Sequence, residues 1–441
     1  MRGLPSTRVK VAVTDIDGVL RGKYLHKDKF LAAAESGFGF CNVVFGWDSS
    51  DAPYDNGAWT GWHTGFPDAL VQLDLGSFRR VPWDGDVPFF LGDFVEASGA
   101  PNPVCPRQVY KRVLKRAGKL GFEVLTGLEY EWFNFRETPQ SMAAKHYVAP
   151  TPITPGMFGY SLTRAGQNQP FFQALMEEMG QFGVPIEGLH TETGPGVYEA
   201  AILYAAGVES GDRGVLFKQS AKDIGQRFGI MPSFMAKWST QYPGCSGHAH
   251  QSLSDGKRNV FYDARNQYRM SKTFESYLAG QLALLEDIQC MFAPTVNSYK
   301  RLVDGMWAPV KRTWAVDNRT ASLRVIPGSP KSTRLETRCP GSDSNPYLAL
   351  AACVGAGLWG IEKNLKLKDA PLTGDSAKAS KIPRLPRSLD AATANLKRSK
   401  VAPDLFGATF VDHFVRTREW EWRQYQDAVT DWEMKRYFEI I

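Results

Sequence analysis

The stretch GLEYEWF, residues 127–133, decides how the rest of the chain is interpreted. Aromatic and aliphatic residues crowd it and Gly127 opens it, which predicts a β-strand. Side chains two apart on a strand point to the same face, so Glu129 and Glu131 are expected to share one face. Two carboxylates side by side in a protein core are costly unless a cation neutralises them. The pair therefore indicates either a metal site or the solvated face of a half-buried strand.

Three later stretches are also predicted to bring charged or metal-binding side chains together on one strand face. In HTETGPGVYE (190–199), a Gly-Pro-Gly turn can fold Glu192 and Glu199 back to one point. GCSGHAHQSL (244–253) and RLETRCP (334–340) each place such side chains at alternate positions of a predicted strand. Recurrence in four separate segments favours a metal site over a solvated face. The candidate ligands are Glu129, Glu131, Glu192, Glu199, Glu336, His248 and His250.

These candidates form a hard, oxygen-rich set with one or two imidazoles and no cysteine. Such ligands suit Mg²⁺ or Mn²⁺ rather than structural zinc, and five carboxylates overfill the octahedron of one Mg²⁺ ion. Arginines are concentrated between positions 301 and 338, where they are interleaved with apolar strand residues. This pattern favours an interior anion site. Guanidinium groups beside divalent ions are typical of phosphoryl transfer. The arginines are Arg301, Arg312, Arg319, Arg324, Arg334 and Arg338.

An ordered series of motifs resembles the glutamine synthetase superfamily over most of the chain. Their order and spacing are compatible with that family, which makes the resemblance far more specific than a single pattern match. The motifs are DIDGVLRGK (15–23), WDSSD (47–51), GLEYEWF, HTETGPGVYE, PSFMAKW (232–238) followed by SGHAHQSL, NSYKRLVDGMWAP (297–309), NRTASLRV (318–325) and SPKSTRLETRCPGSDSNPYLALAA (329–352).

The resemblance implies ATP as co-substrate and two or three Mg²⁺ or Mn²⁺ ions. One ion is implied at Glu131, Glu192 and Glu199. The second ion, which bridges the ATP phosphates, is implied at Glu129, His248 and Glu336. The nucleotide and its phosphates are implied at His250, Ser252, Arg324, Lys331 and Arg334.

The resemblance also implies how the reaction runs. ATP phosphorylates the side-chain carboxylate of glutamate, and an amine then attacks the acyl phosphate and expels phosphate. Arg319 and Arg338 are expected to contact the transferring phosphoryl group and glutamate, and Arg301 to clamp the substrate carboxylate. Asp48 is expected to bind or deprotonate the incoming amine across a subunit boundary.

Departures from the family pattern concern the amine. Trp307 stands where ammonia-using members carry a Glu that closes over ammonium; a Trp cannot take a proton, although it packs well against an alkyl or aryl group. Gly244 opens a Gly-Cys-Ser-Gly stretch that resembles the γ-glutamylputrescine synthetase branch, and it is predicted to lie in the substrate site. Val197 replaces a Gln of many relatives, and residues 370–424 contain no Tyr for adenylylation. We therefore predict a γ-glutamyl amide ligase that uses an organic amine.

Two alternative functions stay open: an ammonia-using glutamine synthetase, and a non-catalytic structural relative, against which the intact ligand set argues. The identity of the amine is open as well. A polyamine such as putrescine needs acidic residues, for which Asp48 and Asp51 are the obvious candidates. Phe45, Trp47 and Trp307 suggest a partly apolar pocket for a monoamine or an aromatic amine, or else ordinary core packing.

The predicted fold class is α+β. We expect a small N-terminal domain over residues 1–100 and a large catalytic domain over 101–441, whose antiparallel sheet carries the metal site. The resemblance implies a β-grasp-like small domain and a homododecamer of stacked hexameric rings with sites between neighbouring subunits. Residues 365–386, rich in Lys, Pro and Ser, are predicted to form a mobile surface loop. Helices are predicted from Pro106, at 170–182, 211–227 and 271–290, from Asn345-Pro346, and near 407–427.

Two motifs have competing interpretations. VAVTDIDGVL (11–20) is similar to the nucleophile strand of haloacid-dehalogenase phosphatases, with Asp15 as nucleophile and Asp17 as acid, but that chemistry needs a doubly wound α/β domain. His248 and His250 are similar to the paired histidines of metal hydrolases, which need further histidines close by. The remaining histidines are scattered along the chain: His26, His63, His146, His190 and His413.

Composition agrees with these expectations. A net charge of +6 and a pI near 8.8 tolerate anionic substrates, and the lack of a basic run argues against nucleic-acid binding. Six cysteines without C-x-x-C spacing are expected to be reduced. No apolar stretch reaches the roughly 18 residues of a membrane span, and the N-terminus is too polar for a signal peptide, so no membrane association and a cytoplasmic location are expected.

Overall fold

A five-stranded sheet opens the structure, a computed structural model that describes residues 6–441. It is formed by β1 (Arg8–Thr14), β2 (Leu20–His26), β3 (Phe38–Cys41), β4 (Asp68–Val81) and β5 (Val87–Val95), with α1 (Lys27–Ser36) between β2 and β3. The strand order is β2-β1-β5-β4-β3, with β5 parallel to β1 and the other neighbours antiparallel. Helix α1 packs on one face, where the ring centroids of Phe30 and Phe90 lie 4.9 Å apart.

The central strand, β5, joins two hydrophobic cores, and all of its residues are buried. Phe90 and Phe94 belong to the core shared with α1, whereas Phe89 and Leu91 belong to the larger core of the remaining chain. Successive side chains of a strand face opposite sides, so a continuous apolar strand can fill both cores. The predicted division at residue 100 falls between β5 and the next helix and stays a prediction.

The second sheet is larger and mostly antiparallel, with the order β12-β13-β14-β11-β6-β8-β7, and β9 and β10 also pair with β6. Only β12 and β13 among these described pairs run parallel. Its strands are β6 (Glu123–Phe135), β7 (Ile186–Thr191), β8 (Val197–Ile202), β9 (Ala205–Ala206), β10 (Met231–Ser233), β11 (Gly247–Ser254), β12 (Trp314–Val316), β13 (Leu323–Ile326) and β14 (Arg334–Thr337). The α+β fold class is confirmed.

Three helices, Glu209–Arg227, Lys272–Leu284 and Pro346–Glu362, pack behind the large sheet. The helices that follow the small sheet are labelled in chain order. They are α2 (Pro106–Lys119), α3 (Pro139–Ala144), α4 (Leu162–Gln167), α5 (Gln169–Gln181), α6 (Glu209–Arg227), α7 (Lys272–Leu284), α8 (Gln289–Phe292), α9 (Ser298–Arg301), α10 (Pro346–Glu362), α11 (Leu389–Arg398), α12 (Ala402–Phe406), α13 (Ala408–Asp427) and α14 (Asp431–Tyr437). Every helix within residues 6–441 is too short or too polar to span a lipid bilayer.

Helix α10 is the central helix of this layer, because it is apolar on nearly all sides and almost wholly buried. It crosses α7 at a close approach of two glycines. A methyl group built on Gly280 would lie 2.6 Å from the Cα atom of Gly360, so only glycine fits on either side. Asn345 caps the first turn of α10 by accepting a hydrogen bond from the amide of Tyr347 at 3.0 Å.

One predicted helix is wrong in its extent. The segment predicted as a single helix over 271–290 forms α7, which ends at Leu284, and the separate single turn α8. Leu285, Ile288 and every residue of α8 are buried. The chain leaves the helical path after Leu284 and stays in the core through α8. The other predicted helices are confirmed in α2, α5, α6, α10 and α13.

Residues 365–386 lie mostly at the surface, as predicted, but hydrogen bonds fasten them to the segment around β12. The amide of Leu372 donates to the carbonyl oxygen of Trp314 at 3.0 Å. The side chain of Asn318 donates to the carbonyl oxygen of Gly374 at 2.7 Å. The mobility of this segment stays a prediction.

The phosphatase-like motif has a structural role at the junction of the two sheets. Asp15 accepts from Arg21 at 2.9 Å, and Asp17 accepts from Arg418 of α13 at 2.7 Å. Asn345 donates to the carbonyl oxygen of Asp15 at 3.2 Å. The strand before the motif lies in a mixed sheet rather than a doubly wound one, so the phosphatase interpretation is wrong.

Candidate active site

One face of the large sheet collects the predicted ligands, because neighbouring strands pair in a matching register. Across β7, β8 and β6, His190 stands opposite Glu199, which stands opposite Glu131. Glu129 lies two residues before Glu131 on β6 and stands opposite His248 on β11. Directly paired residues on neighbouring strands bring their side chains about 5 Å apart on one face. Register alone therefore gathers five ligand-type side chains from four strands.

The row continues across β11, β14 and β13. His250 stands opposite Glu336, which stands opposite Arg324. Ser252 continues the same face of β11, two residues beyond His250. The sheet face therefore passes from carboxylates at β7 and β8 to guanidinium groups at β13 and β14.

The turn between β7 and β8 places the remaining carboxylate. Gly194 and Gly196 have φ angles of 143° and 68°, in the region that favours glycine. A methyl group on Gly196 would lie 2.5 Å from the carbonyl oxygen of Asn134. The turn thus holds Glu192 beside the face, where its carboxylate also accepts from the amide of Thr193 at 2.8 Å.

A first group of donor atoms forms around His190. Its Nε2 atom lies 3.2 Å from Oε1 of Glu199, and its Nδ1 atom lies 3.8 Å from Oε2 of Glu192. One ligand atom from each of these residues lies within 4.8 Å of the other two, a spacing that suits one cation. His190 was not among the predicted ligands. The signal that could have found it is its spacing of two from Glu192, the same spacing that identified the other candidates.

A second group forms around His248, which is 3% exposed. Its Nδ1 atom lies 3.4 Å from Oε1 of Glu336 and 3.7 Å from Oε1 of Glu129, and it has no hydrogen-bond partner. A buried ring nitrogen that faces two carboxylates without bonding to either is the arrangement a metal ion would complete. The donor set fits the divalent cation expected from the sequence.

The pKa values of the carboxylates point the same way. Burial and the negative charge of Glu129 raise the pKa of Glu199 to about 11. Burial opposes ionisation of Glu129 too, but the neighbouring imidazoles of His248 and His250 hold the pKa of Glu129 well below its usual range. Adjacent carboxylates therefore keep one proton between them, and a cation bound there would replace it.

At the far side of this face, two guanidinium groups hold the carboxylate of Glu336 in place. Arg324 donates to Oε2 of Glu336 at 2.8 Å, and Arg338 donates to the other oxygen of the same carboxylate. Although Glu336 is buried, the charges of His248 and Arg338 lower its pKa to about 2. Nε of Arg334 donates to Nδ1 of His250 at 3.1 Å, so the other ring nitrogen carries the proton toward Glu129.

Arg301 lies on the other side of the cluster and is 1% exposed. It donates to Oγ of Ser246 at 3.1 Å, and the amide of Ser246 donates to Oε2 of Glu131 at 2.7 Å. Gly244 lies against Arg301, since a methyl group there would be 2.6 Å from Cγ of Arg301. The predicted carboxylate clamp is thus joined to the ligand face through one serine.

An open groove of about 700 Å³ borders Arg324 and holds two further predicted residues, Arg319 and Trp307. Trp307 is 60% exposed and has a φ angle of 64°, an uncommon conformation for a large residue. Lys331 is exposed in the turn before β14. Arg312 does not join the site, because its guanidinium lies 3.4 Å from Glu286.

Tyr160 is a site residue that sequence reasoning missed. Its ring stacks on the imidazole of His190 with centroids 4.4 Å apart, and the side chain is 68% exposed. Its amide donates to the carbonyl oxygen of Thr191, which holds the segment over the end of β7. No spacing in the sequence pairs Tyr160 with the ligands, since thirty residues and two helices separate it from His190.

Asp48 is not brought to this face within the chain. It accepts from the indole of Trp420 on α13 at 3.0 Å, and it lines a separate cavity of about 650 Å³. No hydrogen bond or ion pair within residues 6–441 joins Asp48 to the ligand face. Phe45 packs in the core 4.8 Å from Phe94, so core packing accounts for it. Trp47 lies beneath the guanidinium of Arg21, 5.0 Å from its ring, and not beside Trp307.

Comparisons with known proteins point to one family. Residues 103–437 match the family described as glutamine synthetase, catalytic domain. The chain is 52% identical over 439 residues to "Type-1 glutamine synthetase 2" of Dictyostelium discoideum, which covers 98% of this chain and 84% of that protein. It is 34% identical over 439 residues to "Glutamate--isopropylamine ligase" of Pseudomonas sp, which covers 98% of this chain and 95% of the relative. The solved structure "Apo GmaS without ligand" superposes with a TM-score of 0.86 at 26% identity, over 99% of this chain and 98% of that one.

Proposed function

The chain belongs to the glutamine synthetase family, and on that premise we propose that it is an ATP-dependent ligase that joins glutamate to an organic amine through a γ-glutamyl amide bond. Members of this family depend on ATP and divalent metal ions. We further propose that the enzyme binds two or three Mg²⁺ or Mn²⁺ ions, lies in the cytoplasm and assembles into stacked hexameric rings.

The observation that carries the proposal is the pair of donor groups on one sheet face. The group around His190 and the group around His248 are joined by Glu129, whose side chain contacts His250 and interacts with Glu199. Bound divalent ions supply charge neutralisation and a template for phosphate oxygens. Two adjoining carboxylate-rich groups beside buried arginines are suited to phosphoryl transfer.

The chain's own residues divide the remaining work. Arg324, Arg334 and Lys331 are proposed to hold the nucleotide phosphates, with His250 and Ser252 beside the nucleotide. Arg338 and Arg319 stabilise the transferring group, as guanidinium groups do when charge spreads over several oxygens. Arg301 and Gly244 are proposed to bind glutamate. Transfer of the γ-phosphoryl group of ATP to the side-chain carboxylate of glutamate releases ADP and gives the acyl phosphate. The amine nitrogen then attacks the acyl carbon, the bond from that carbon to the phosphate oxygen breaks to release phosphate, and Asp48 of a neighbouring subunit takes the proton of the amine.

Two aromatic side chains favour an organic amine over ammonia. Trp307 and Tyr160 are both large and mostly exposed, and Tyr160 covers His190 of the ligand face. An aromatic face attracts a cationic or apolar amine, whereas free ammonium needs a carboxylate to hold it and take its proton. The relative named for isopropylamine gives the same direction.

A second candidate is an ammonia-using glutamine synthetase. The observation that favours it is the 52% identity to the relative named as a glutamine synthetase, which exceeds the 34% identity to the relative named for isopropylamine. Both candidates use the same metal and phosphate chemistry. They differ in the group that receives the amine.

The test is ADP release from ATP and glutamate with Mg²⁺, comparing ammonium with alkyl, hydroxyalkyl, aryl and polyamines at equal concentrations of the free base. The proposal expects the highest kcat/KM with an organic amine. The highest kcat/KM with ammonium would establish the second candidate. No turnover with any amine would leave the structural relative as the remaining function.

A further inference from the structure

Beside Arg301 lies a second buried cation that lacks an anion. Lys237, from the PSFMAKW stretch, is 5% exposed, and its Nζ atom has no hydrogen-bond or ion-pair partner among residues 6–441. Burial and the positive charge of Arg301 lower the pKa of Lys237. A buried charge without a partner destabilises the fold, and an anion from outside the chain would offset that cost.

Two hydrogen bonds hold Lys237 in place. Its amide donates to the side-chain oxygen of Asn297 at 2.9 Å, and the side-chain nitrogen of Asn297 donates to the carbonyl oxygen of Lys237 at 2.8 Å. Asn297 immediately precedes α9, and Arg301 is the last residue of α9. The backbones that carry the two cations are therefore fastened to each other.

Arg301 forms no ion pair within the described residues either, and the negative charges of Asp343 and Glu131 act on it only from a greater distance. Its two terminal nitrogens donate to neutral oxygens, Oγ of Ser246 and the carbonyl oxygen of Cys339, and its Nε atom has no partner within the described residues. Gly244 leaves room for this packing, since a methyl group there would lie 2.2 Å from the carbonyl oxygen of Ala236. Two cations thus share one small region next to the ligand face.

We propose that Lys237 acts with Arg301 as a second binding group for the main-chain carboxylate of the amino-acid substrate. This role deepens the proposed ligase function and rests on it. The carboxylate supplies the missing anion, and the Ser246–Glu131 hydrogen bond sets that anion at a fixed place relative to the metal ligands. A side-chain carboxylate from a second copy of the chain is the competing occupant.

The experiment measures binding by calorimetry in the presence of ADP and Mg²⁺, which prevents turnover. Two ligands are compared, glutamate and its α-amide, which keeps the shape but lacks the main-chain charge. The variants are Lys237→Met and Lys237→Arg, with Lys300→Met as the matched control, because Lys300 is exposed and adjoins Arg301 in sequence. Thermal unfolding of each variant is followed without ligand.

The proposal expects Lys237→Met to weaken glutamate binding at least about tenfold and α-amide binding less than about twofold, since only glutamate loses a charge-assisted contact. Lys237→Arg restores part of the affinity, and Lys300→Met has no effect. Without ligand, Lys237→Met is expected to match or exceed the melting temperature of the unaltered protein, because it removes an uncompensated charge.

Three results would overturn this role. Equal losses for glutamate and the α-amide would mean that Lys237 supports the fold rather than the carboxylate. Unchanged glutamate binding with a lower melting temperature or a smaller oligomer would assign the anion to a second copy of the chain. Failure of the unaltered protein to bind glutamate would remove the proposed function itself, and this role with it.

Discussion

At the scale of single residues, Glu336 is the most buried carboxylate of the candidate site. It is 1% exposed, lies 3.4 Å from His248 and accepts hydrogen bonds from Arg324 and Arg338. We predict that Glu336→Gln lowers turnover at least about a hundredfold and weakens Mn²⁺ binding at least about tenfold, because a ligand charge is lost. ADP release and Mn²⁺ titration followed by electron paramagnetic resonance measure the two effects.

Glu123→Gln provides the control, since this residue begins the same sheet strand β6 but is exposed. It is expected to leave turnover and Mn²⁺ binding unchanged. Undiminished Mn²⁺ affinity in Glu336→Gln would remove this residue from the metal site.

The choice between amines and ammonium is tested at position 307. We predict that Trp307→Glu raises the ratio of kcat/KM for ammonium to kcat/KM for the best organic amine at least about tenfold, because a carboxylate can hold ammonium and accept its proton. Steady-state assays with both substrates measure this ratio. Trp62→Glu, at a 74% exposed Trp of the small sheet's loops, is the control and should leave the ratio unchanged. A falling ratio in Trp307→Glu would contradict the assigned role of the Trp.

The gathering of the candidate ligands on one sheet face could be predicted from sequence, because strand geometry makes their spacing informative. Glu129 and Glu131 share a face whatever the partner strands are, since side chains alternate along any strand. Which strands lie side by side is set by long-range register, so sequence spacing could not show that His190 would stand opposite Glu199. Arg312 shows the converse, because its position in an arginine-rich run did not bring it to the site.

At the level of elements, Arg107 of α2 ties the two sheets together. It is 2% exposed and donates to Asp74 of β4 at 2.7 Å, Asp93 of β5 at 2.7 Å and Asp212 of α6 at 2.8 Å. We predict that Arg107→Met lowers the free energy of unfolding by about 3–5 kcal/mol, because it leaves the buried carboxylate of Asp212 without a counter-charge, whereas Lys111 still pairs with Asp93 and Asp74. Denaturant unfolding followed by circular dichroism measures the change.

Arg423→Met is the matched control for Arg107→Met. Arg423 also joins distant parts of the chain, through Asp55, but both side chains are about half exposed. Its loss is expected to cost less than about 1 kcal/mol. Equal losses of unfolding free energy in the two variants would show that the buried ion pairs of Arg107 stabilise the fold no more than an exposed ion pair does.

Helix α13 carries a buried histidine that makes stability depend on pH. His413 is 2% exposed, and neither ring nitrogen has a hydrogen-bond partner in the described chain. Burial and the charge of Arg418 lower the pKa of His413 to about 4 from the usual 6.5. Between these values His413 is protonated in the unfolded chain but not in the folded chain. Its contribution to the free energy of unfolding is therefore fully present above pH 6.5 and falls as the pH drops toward 4.

We predict that His413→Phe removes this part of the pH dependence. The free energy of unfolding of the unaltered protein should fall relative to the variant by about 1.4 kcal/mol for each pH unit within that window. Urea unfolding at pH 7, 6 and 5 measures the difference. His146→Asn, at an exposed histidine with a φ angle of 50°, is the control and should follow the unaltered protein. Parallel pH profiles for His413→Phe and the unaltered protein would assign the titration to another group.

At the scale of the whole molecule, the chain holds the candidate metal ligands and Asp48 in different places. Asp48 follows the small sheet's strand β3 and faces α13, whereas the ligands line the large sheet. The family resemblance implies that Asp48 and the candidate ligands act in one reaction. Within residues 6–441, however, no hydrogen bond or ion pair joins Asp48 to the ligand face. A site shared between copies reconciles the two, because symmetric assembly can set one copy's small sheet beside another copy's large sheet.

A mixing experiment tests this sharing. Asp48→Asn and Glu336→Gln are each expected to be nearly inactive alone, because every site then lacks one of the two carboxylates. Oligomers co-assembled from equal amounts of both variants should regain about a quarter of the activity, since a random pairing of two copies joins an intact Asp48 to an intact Glu336 in one case of four. ADP release after joint refolding measures the recovery, and mixing without refolding is the control. A mixture as inactive as its components, with assembly verified by light scattering, would show that each chain completes its own site and that Asp48 acts elsewhere.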